Sequence, residues 1–336
     1  MVLLDVVMKK VQTQQPILVK ESLDLLIAGN AAFVRQITQK KANLAKPAEY
    51  DLVLVSSTGP RTDPTILTDY LEQKILNIQT AGQIVTDDLD NGFIRIKQDG
   101  EVIVCGSLMC YECDLKAQES NNRGISNSID NLISHVEIGK KDSFAKDIYS
   151  ANAINQVEKL KHNEILISKK AAIIPVLADF TNSLEPIRFL KDGKPSNSIN
   201  GLKRSLSSRL TKAKNQGVNL NAAYAHTIIL SDPLDLGLVN NPRIIFDGNL
   251  NEIICVSNFG KKIATVSIAA IEDALLKVHG VKDSPHIMIL HTDSDTVKEL
   301  KKQILESKII KEKSQNGKLI TLMKFNKMNG QTFILA

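Results

Sequence analysis

Two stretches of the chain, Ala48 to Val85 and Ala223 to Ile263, spell the same short unit twice. In each, an aliphatic strand (Leu52 to Val55; Thr227 to Leu230) runs into a polar loop containing a proline (Pro64; Pro242). A second strand follows, then a turn centred on glycine (Ala81-Gly82-Gln83; Phe259-Gly260-Lys261). A repeat of this length implies two copies of one fold in one polypeptide. The 336 residues suit two domains of ordinary size, and 43% hydrophobic with 24% charged residues lets each half bury a core of its own.

The order of elements supports an α/β class. After an amino-terminal arm, 1–20, residues Glu21 to Arg35 place Leu23, Leu26, Ile27, Phe33 and Val34 at helical spacing despite the internal Gly29. Strands Leu52 to Val55 and Ile75 to Ile78 follow, then a weakly helical Asp88 to Gln98, strand Val102 to Cys105 and a helix over Ser126 to His135. Two strands, Ala172 to Leu177 and Ile187 to Leu190, close the half around a turn with Asn182 and Ser183. Strands alternating with helices predict a mostly parallel sheet flanked by helices, with a closing hairpin.

The segment Lys191 to Ser198, with its Asp-Gly, Lys-Pro and serines, reads as a linker, giving a first domain over 21–192 and a second over 199–336. The second half repeats the order: a helix from Ile199 to Asn215, strands Thr227 to Leu230 and Ile253 to Val256, and a helix Ser267 to Val278 ended by Gly280. Strand His286 to Leu290, strand Lys318 to Lys324, the turn Met328-Asn329-Gly330 and strand Thr332 to Leu335 complete it.

Several function classes are disfavoured. The formal charge of +5 is small and scattered, and the densest basic stretch, Lys203 to Lys214, shares its helix with Ile199, Leu202, Leu206 and Leu210, which reads as a solvated face. With only 4% aromatic residues there is no stacking platform, so no nucleic-acid partner is expected. No apolar run is long enough to span a bilayer, and the Val2 to Met8 start, interrupted by Asp5, is a poor signal peptide. Four cysteines without an export signal point to a reducing cytoplasm.

In this order the residues resemble the β-class carbonic anhydrases, once in each half and over nearly the full chain. The resemblance is carried by LLIAGNAAFV (Leu25 to Val34), similar to that family's amino-terminal helix with its Gly-Asn pair, and by ILNIQTAGQIV (Ile75 to Val85), similar to its strand ending in Asn-Ala-Gly-Asn. In the second half, IIFDGNLNEIICVSNFG (Ile244 to Gly260), SIAAIEDALLKVHGV and HIMILHTDSD resemble its core of strand, helix, strand and metal loop. The family is usually built on dimers with sites at the subunit interface, so a tandem chain is expected to form that dimer internally as a pseudo-twofold.

The resemblance implies a zinc ion whose bound water is ionised near neutral pH. Its ligands would be a Cys from the loop after the first strand, in a Cys-Ser-Asp-Ser-Arg run with an Asp-Arg pair, and the His and Cys of a Gly-His-x-x-Cys loop after the third. In the first half, aligning Arg61 with the family arginine puts Ser57 at the cysteine and Gly59 at the aspartate. The third loop, CGSLMCYEC, has Ser107 for the histidine and keeps Cys110. In the second half, setting Ser231-Asp232 on the family's Ser-Asp puts Leu230 at the cysteine, whereas counting back from Pro242 puts Asp235 there. His291 is kept and Ser294 replaces the last cysteine. A serine hydroxyl is a poor zinc ligand beside a thiolate, and complete structural sites bind zinc with apparent energies of about 10 to 16 kcal/mol.

The remnants have simpler readings as well. Cys105, Cys110 and Cys113 include a Cys-x-x-Cys but no nearby histidine, so buried inert thiols are the main alternative to a displaced metal or redox site. His291 and Asp235 with water would make a weak metal site, and Arg61 a small-anion site. His135, His162, His226, His279 and His286 have no ligand spacing and read as structural, and no base is placed beside Ser56 or Ser57. The sequence therefore predicts a non-catalytic β-carbonic-anhydrase-like binding or assembly protein with no cofactor, able to form a homo-oligomer or take a protein partner. The alternatives are a carbonate dehydratase with unusual zinc ligands or another hydrolase in the same cleft, and a small-anion sensor built around Arg61.

Overall fold

The computed structural model describes residues 18–40, 44, 49–58, 75–80, 85–107, 144–178, 187–190, 225–237, 241–246, 253–277 and 286–335, with helical residues at 200, 203, 204, 207, 208, 211 and 215. The contacts gather these into two compact units, one of 48–221 and one of 1–47 together with 222–336.

In the first unit, strands β1 (Tyr50–Ser57), β2 (Ile75–Thr80), β3 (Ile96–Ser107), β4 (Ala172–Ala178) and β5 (Ile187–Phe189) form one sheet in the order β2-β1-β3-β4-β5. All neighbours are parallel except the closing pair β4 and β5. Leu52, Val53, Leu54 and Val55 are at most 3% exposed, as a strand covered on both faces requires.

The second sheet repeats this plan. Its strands β6 (Thr227–Ser231), β7 (Ile253–Ser257), β8 (His286–His291), β9 (Ile320–Phe325) and β10 (Thr332–Ile334) stand in the order β7-β6-β8-β9-β10, with only β9 and β10 antiparallel. Taken by position in each half, the two sheets have one strand order and one set of pairing directions. The α/β class with mostly parallel sheets and closing hairpins is the observed one.

Helix α1 (Val19–Lys40) differs from the expected assignment. The sequence reading groups it with the first sheet, which it precedes; the contacts group it with the second. Two adjacent residues account for this. A Cβ on Gly29 would lie 1.8 Å from the carbonyl oxygen of Phe246, so only glycine lets the helix come that close. Asn30, buried, donates to the carbonyls of Ile245 (3.2 Å) and Gly330 (2.8 Å) and accepts from the Thr332 N–H (3.0 Å) and hydroxyl (3.1 Å). Helical periodicity shows that α1 has an apolar face but not which sheet receives it. In turn, residues 200–221 group with the first unit.

Two further expectations change. The weak helix over Asp88 to Gln98 is a 3-10 turn, Asp87–Leu89, and a single turn α2 (Asp90–Phe93), after which β3 has already begun at Ile96. A bulge at Asp99-Gly100 kept the two parts of β3 from reading as one strand: Asp99 sits at φ 53°, and the register shifts between Tyr50 and Leu52. Helices α3 (Phe144–Leu160), α4 (Glu164–Ser168), α5 (Pro242–Ile245), α7 (Ser294–Ile304) and α8 (Lys308–Lys313) were not expected, whereas α6 (Thr265–Lys277) was. The expected helix at Ser126 to His135 and the linker at Lys191 to Ser198 lie outside the described residues.

Candidate functional site

In an open parallel sheet, loops leaving neighbouring strands in opposite directions open a crevice beyond the carboxyl ends, and ligands bind there. In the second unit the chain leaves β6 for β7 on one side and reaches β8 on the other, so the switch point lies between β6 and β8. The residues just past these ends are Asp232 to Gly237 and His291 to Asp293.

Asp232 organises the first loop. It accepts backbone N–H groups from Leu234 (2.9 Å) and Asp235 (3.2 Å) on Oδ1 and from Gly260 (2.9 Å) on Oδ2. Burial raises its carboxyl above the ordinary value, against the lowering effect of these hydrogen bonds. Gly260 is held for it by Asn258, whose side chain donates to Gly260 and Lys262 carbonyls and accepts from Ala264 N–H. The aspartate named from the family dyad thus meets backbone amides, with no arginine on it among the described residues.

Asp235 is the centre of the site. Its Oδ1 accepts from the Thr292 hydroxyl (2.6 Å) and the Lys327 ammonium (3.2 Å). Its Oδ2 accepts from the Thr292 N–H (2.7 Å) and lies 3.1 Å from His291 Nδ1. Burial alone would raise the carboxyl; the Thr292 hydrogen bonds and the neighbouring charges outweigh it and hold the group below its ordinary value. His291 Nδ1 also accepts the Asp293 N–H at 2.9 Å. Thr292, twice, and Lys327 donate to the carboxylate, and His291 Nδ1 stands beside Oδ2.

Of the residues named from sequence, the structure brings together Asp235 and His291. Leu230, the alternative occupant of the first-ligand position, is 0% exposed in the core, in register with Val256 and Ile289. Ser294 is the first residue of α7, whose cap is Asp293; the bonds from the Thr296 hydroxyl and N–H hold Asp293 at about 2. Thr292 and Lys327 were missed. Thr292 adjoins His291 in sequence, a neighbour that the chain itself marks; Lys327 comes from the β9–β10 turn and carries no local signal.

In the first unit the corresponding switch point lies between β1 and β3. Ser57 ends β1, 7% exposed, and Ser107 ends β3. Cys105 is buried within β3, its thiol directed to the Gly106 carbonyl at 3.6 Å. Arg61, Cys110 and Cys113 lie outside the described residues.

A zinc ion does not fit the second-unit donors as they stand. Thiolates are absent from both loops, both Asp235 oxygens are already engaged, and an ammonium stands where a second cation would be repelled. Among the described residues no three of His, Cys, Asp and Glu converge as a ligand set.

No protein-family model matches the chain, and no curated protein matches it. Among solved structures it is similar to the β-carbonic anhydrase CcaA, at 13% identity and a TM-score of 0.35, over 53% of this chain and 91% of that one. It is also similar to a cysteine-to-alanine mutant of the β-carbonic anhydrase CafD of the filamentous fungus Aspergillus fumigatus, at 16% identity and a TM-score of 0.23, over 42% and 90%. At such TM-scores neither match carries weight by itself, and the family question rests on the residues. Among the described residues no helix is long and apolar enough to cross a membrane.

Proposed function

We propose that this chain is a tandem β-carbonic-anhydrase-like protein that has lost zinc catalysis and acts by binding or assembly. One observation carries the reading: at the second switch point, where the family's zinc ligands would stand, the loops offer one imidazole, no thiolate, and three carboxylates, Asp232, Asp235 and Asp293, each already held by hydrogen bonds. The first half joins the reading on sequence alone, with Ser57 and Ser107 at two of its three ligand positions. The common strand order of the two sheets supports a duplicated fold. On this reading the two halves stand for the two protomers of a family dimer, with a protein partner or a second copy bound in turn, in a reducing cytoplasm.

The test is stopped-flow carbon dioxide hydration by the purified chain, with and without added zinc, beside metal analysis. No rate above background is expected in either condition. About one zinc per chain together with zinc-dependent hydration would replace this reading with the second one, a carbonic anhydrase using Asp235 and His291. That second reading draws its support from the 3.1 Å approach of these two side chains.

A further inference from the structure

We propose that helix α1 guards the outer edge of the second sheet, its Asn30 standing in for one residue of a neighbouring strand, and that a second copy of this chain is what would pair along the edge so closed. Nothing in this depends on whether zinc binds.

Strand β10 ends its sheet, and among the described residues no strand lies beyond it. In an antiparallel pair, successive residues turn their N–H and C=O groups alternately toward the partner strand and away from it. The bonds from the Asn326 N–H to the Gln331 carbonyl (2.8 Å) and from the Leu335 N–H to the Leu322 carbonyl (2.9 Å) set the phase. The backbone groups of Phe333 therefore face β9, and those of Thr332 and Ile334 face outward. A residue of an added parallel strand donates to one outward carbonyl and accepts from the outward N–H two residues on. The Asn30 carboxamide makes both bonds: it donates to the Gly330 carbonyl at 2.8 Å and accepts from the Thr332 N–H at 3.0 Å. Asn30 is buried, and Phe33, Ile37 and Leu44 close over Gly330, where an added Cβ would lie 2.5 Å from Ile37.

Phe333 and Ile334 are 47% and 50% exposed, on opposite faces of the strand. Thr332 to Ile334 holds no charge, proline or bulge of the kind that keeps sheet edges apart. The partner that suits such an edge is its own copy, because two identical strands set antiparallel about a twofold axis match residue for residue and here bring no like charges together. With Asn30 in place, only Ile334 of β10 has outward groups to share; without it, Thr332 joins.

The experiment is sedimentation velocity over a concentration series on the full chain, on Asn30→Ala and on Asn30→Ala combined with Ile334→Pro. The Ile334 N–H points outward, so proline removes a donor from the edge and none from the ladder to β9. Circular dichroism checks that each is folded. Where Asn30→Ala does not fold, Asn30→Asp takes its place, keeping the acceptor for Thr332 and losing the donor for Gly330. Loss of the Asn30 amide is expected to strengthen association between copies about tenfold over the parent, as one or two further backbone hydrogen bonds would. Ile334→Pro should return association to the parent's value. Association unchanged in the folded single variant, or a gain that survives Ile334→Pro, overturns the proposal. Neither result touches the non-catalytic reading, which fails only if the unaltered chain hydrates carbon dioxide with zinc.

Discussion

Acidification from about pH 7 to about pH 4.5 is expected to loosen the second sheet from its amino-terminal edge, where two histidines are buried as neutral groups. His226, 2% exposed, receives or gives hydrogen bonds at Nδ1 to the Ser22 hydroxyl of α1 (2.7 Å) and the Thr227 hydroxyl (2.9 Å). His286, 0% exposed, meets the Thr321 hydroxyl at 2.7 Å through Nε2, and its buried Nδ1 has no hydrogen-bond partner among the described residues. Burial, and for His226 also the charge of a protonated His286, lowers these groups from 6.5 to about 3 and about 4.

A lowered histidine binds its proton in the unfolded chain first. Stability is therefore whole above about pH 6.5 and falls with pH until the folded group titrates, near 4 for His286 and near 3 for His226. Two pH units below the unfolded value, each histidine has removed about 2.5 to 3 kcal/mol, and the pair about 5 to 6 kcal/mol, against a total of about 5 to 15 for a domain. Of the carboxylates, Asp235 and Asp293, both lowered, lose their contribution only below about pH 4, whereas Asp232, raised by burial, acts above its unfolded value and with the opposite sign, and is common to parent and variant in the comparison below. The assay is urea unfolding at several pH values, read by pulsed hydrogen exchange on peptides spanning 226–231 and 286–291. The paired substitution His226→Asn with His286→Gln should flatten the pH dependence between about 6.5 and 4.5. Equal slopes in parent and variant across that window would refute the reasoning.

Gly29→Ala should destabilise the second unit by about 1 to 3 kcal/mol, since the added Cβ meets a backbone oxygen that has no rotamer to escape into; thermal unfolding checks it, and an unchanged midpoint would show that α1 docks differently. Asp232→Asn turns one of the two accepting oxygens into an NH2 group that faces a backbone N–H and should cost about 1 to 3 kcal/mol, seen in urea titration as a lower midpoint with faster exchange in peptide 232–237.

Much of the fold was legible because its signals are local. The aliphatic runs at Leu52 to Val55 and Thr227 to Leu230 are buried on both faces, and a strand of that kind is apolar throughout whatever its neighbours are. Helix α7 was legible in principle, with Asp293 as cap and Val297, Leu300 and Ile304 on one buried face, but it was not recognised beside the family's metal loop. The bulge at Asp99-Gly100 interrupts alternation within β3, so its first residues passed as weak helix.

The site divides in the same way, and the division explains why its chemistry was harder to read than its position. Asp235 and His291 were named from loop positions, and each lies at or just past a strand end that the sequence marks. Lys327 lies 92 residues from Asp235 and reaches it only because β9 pairs with β8 and turns back into β10, a relation of strand order rather than of spacing. A family ligand missing from a loop can be noticed in the chain itself, since the expected residue type fails at a known place. A charge supplied in its stead can come from any element the fold carries past that place, and here it comes from the closing hairpin.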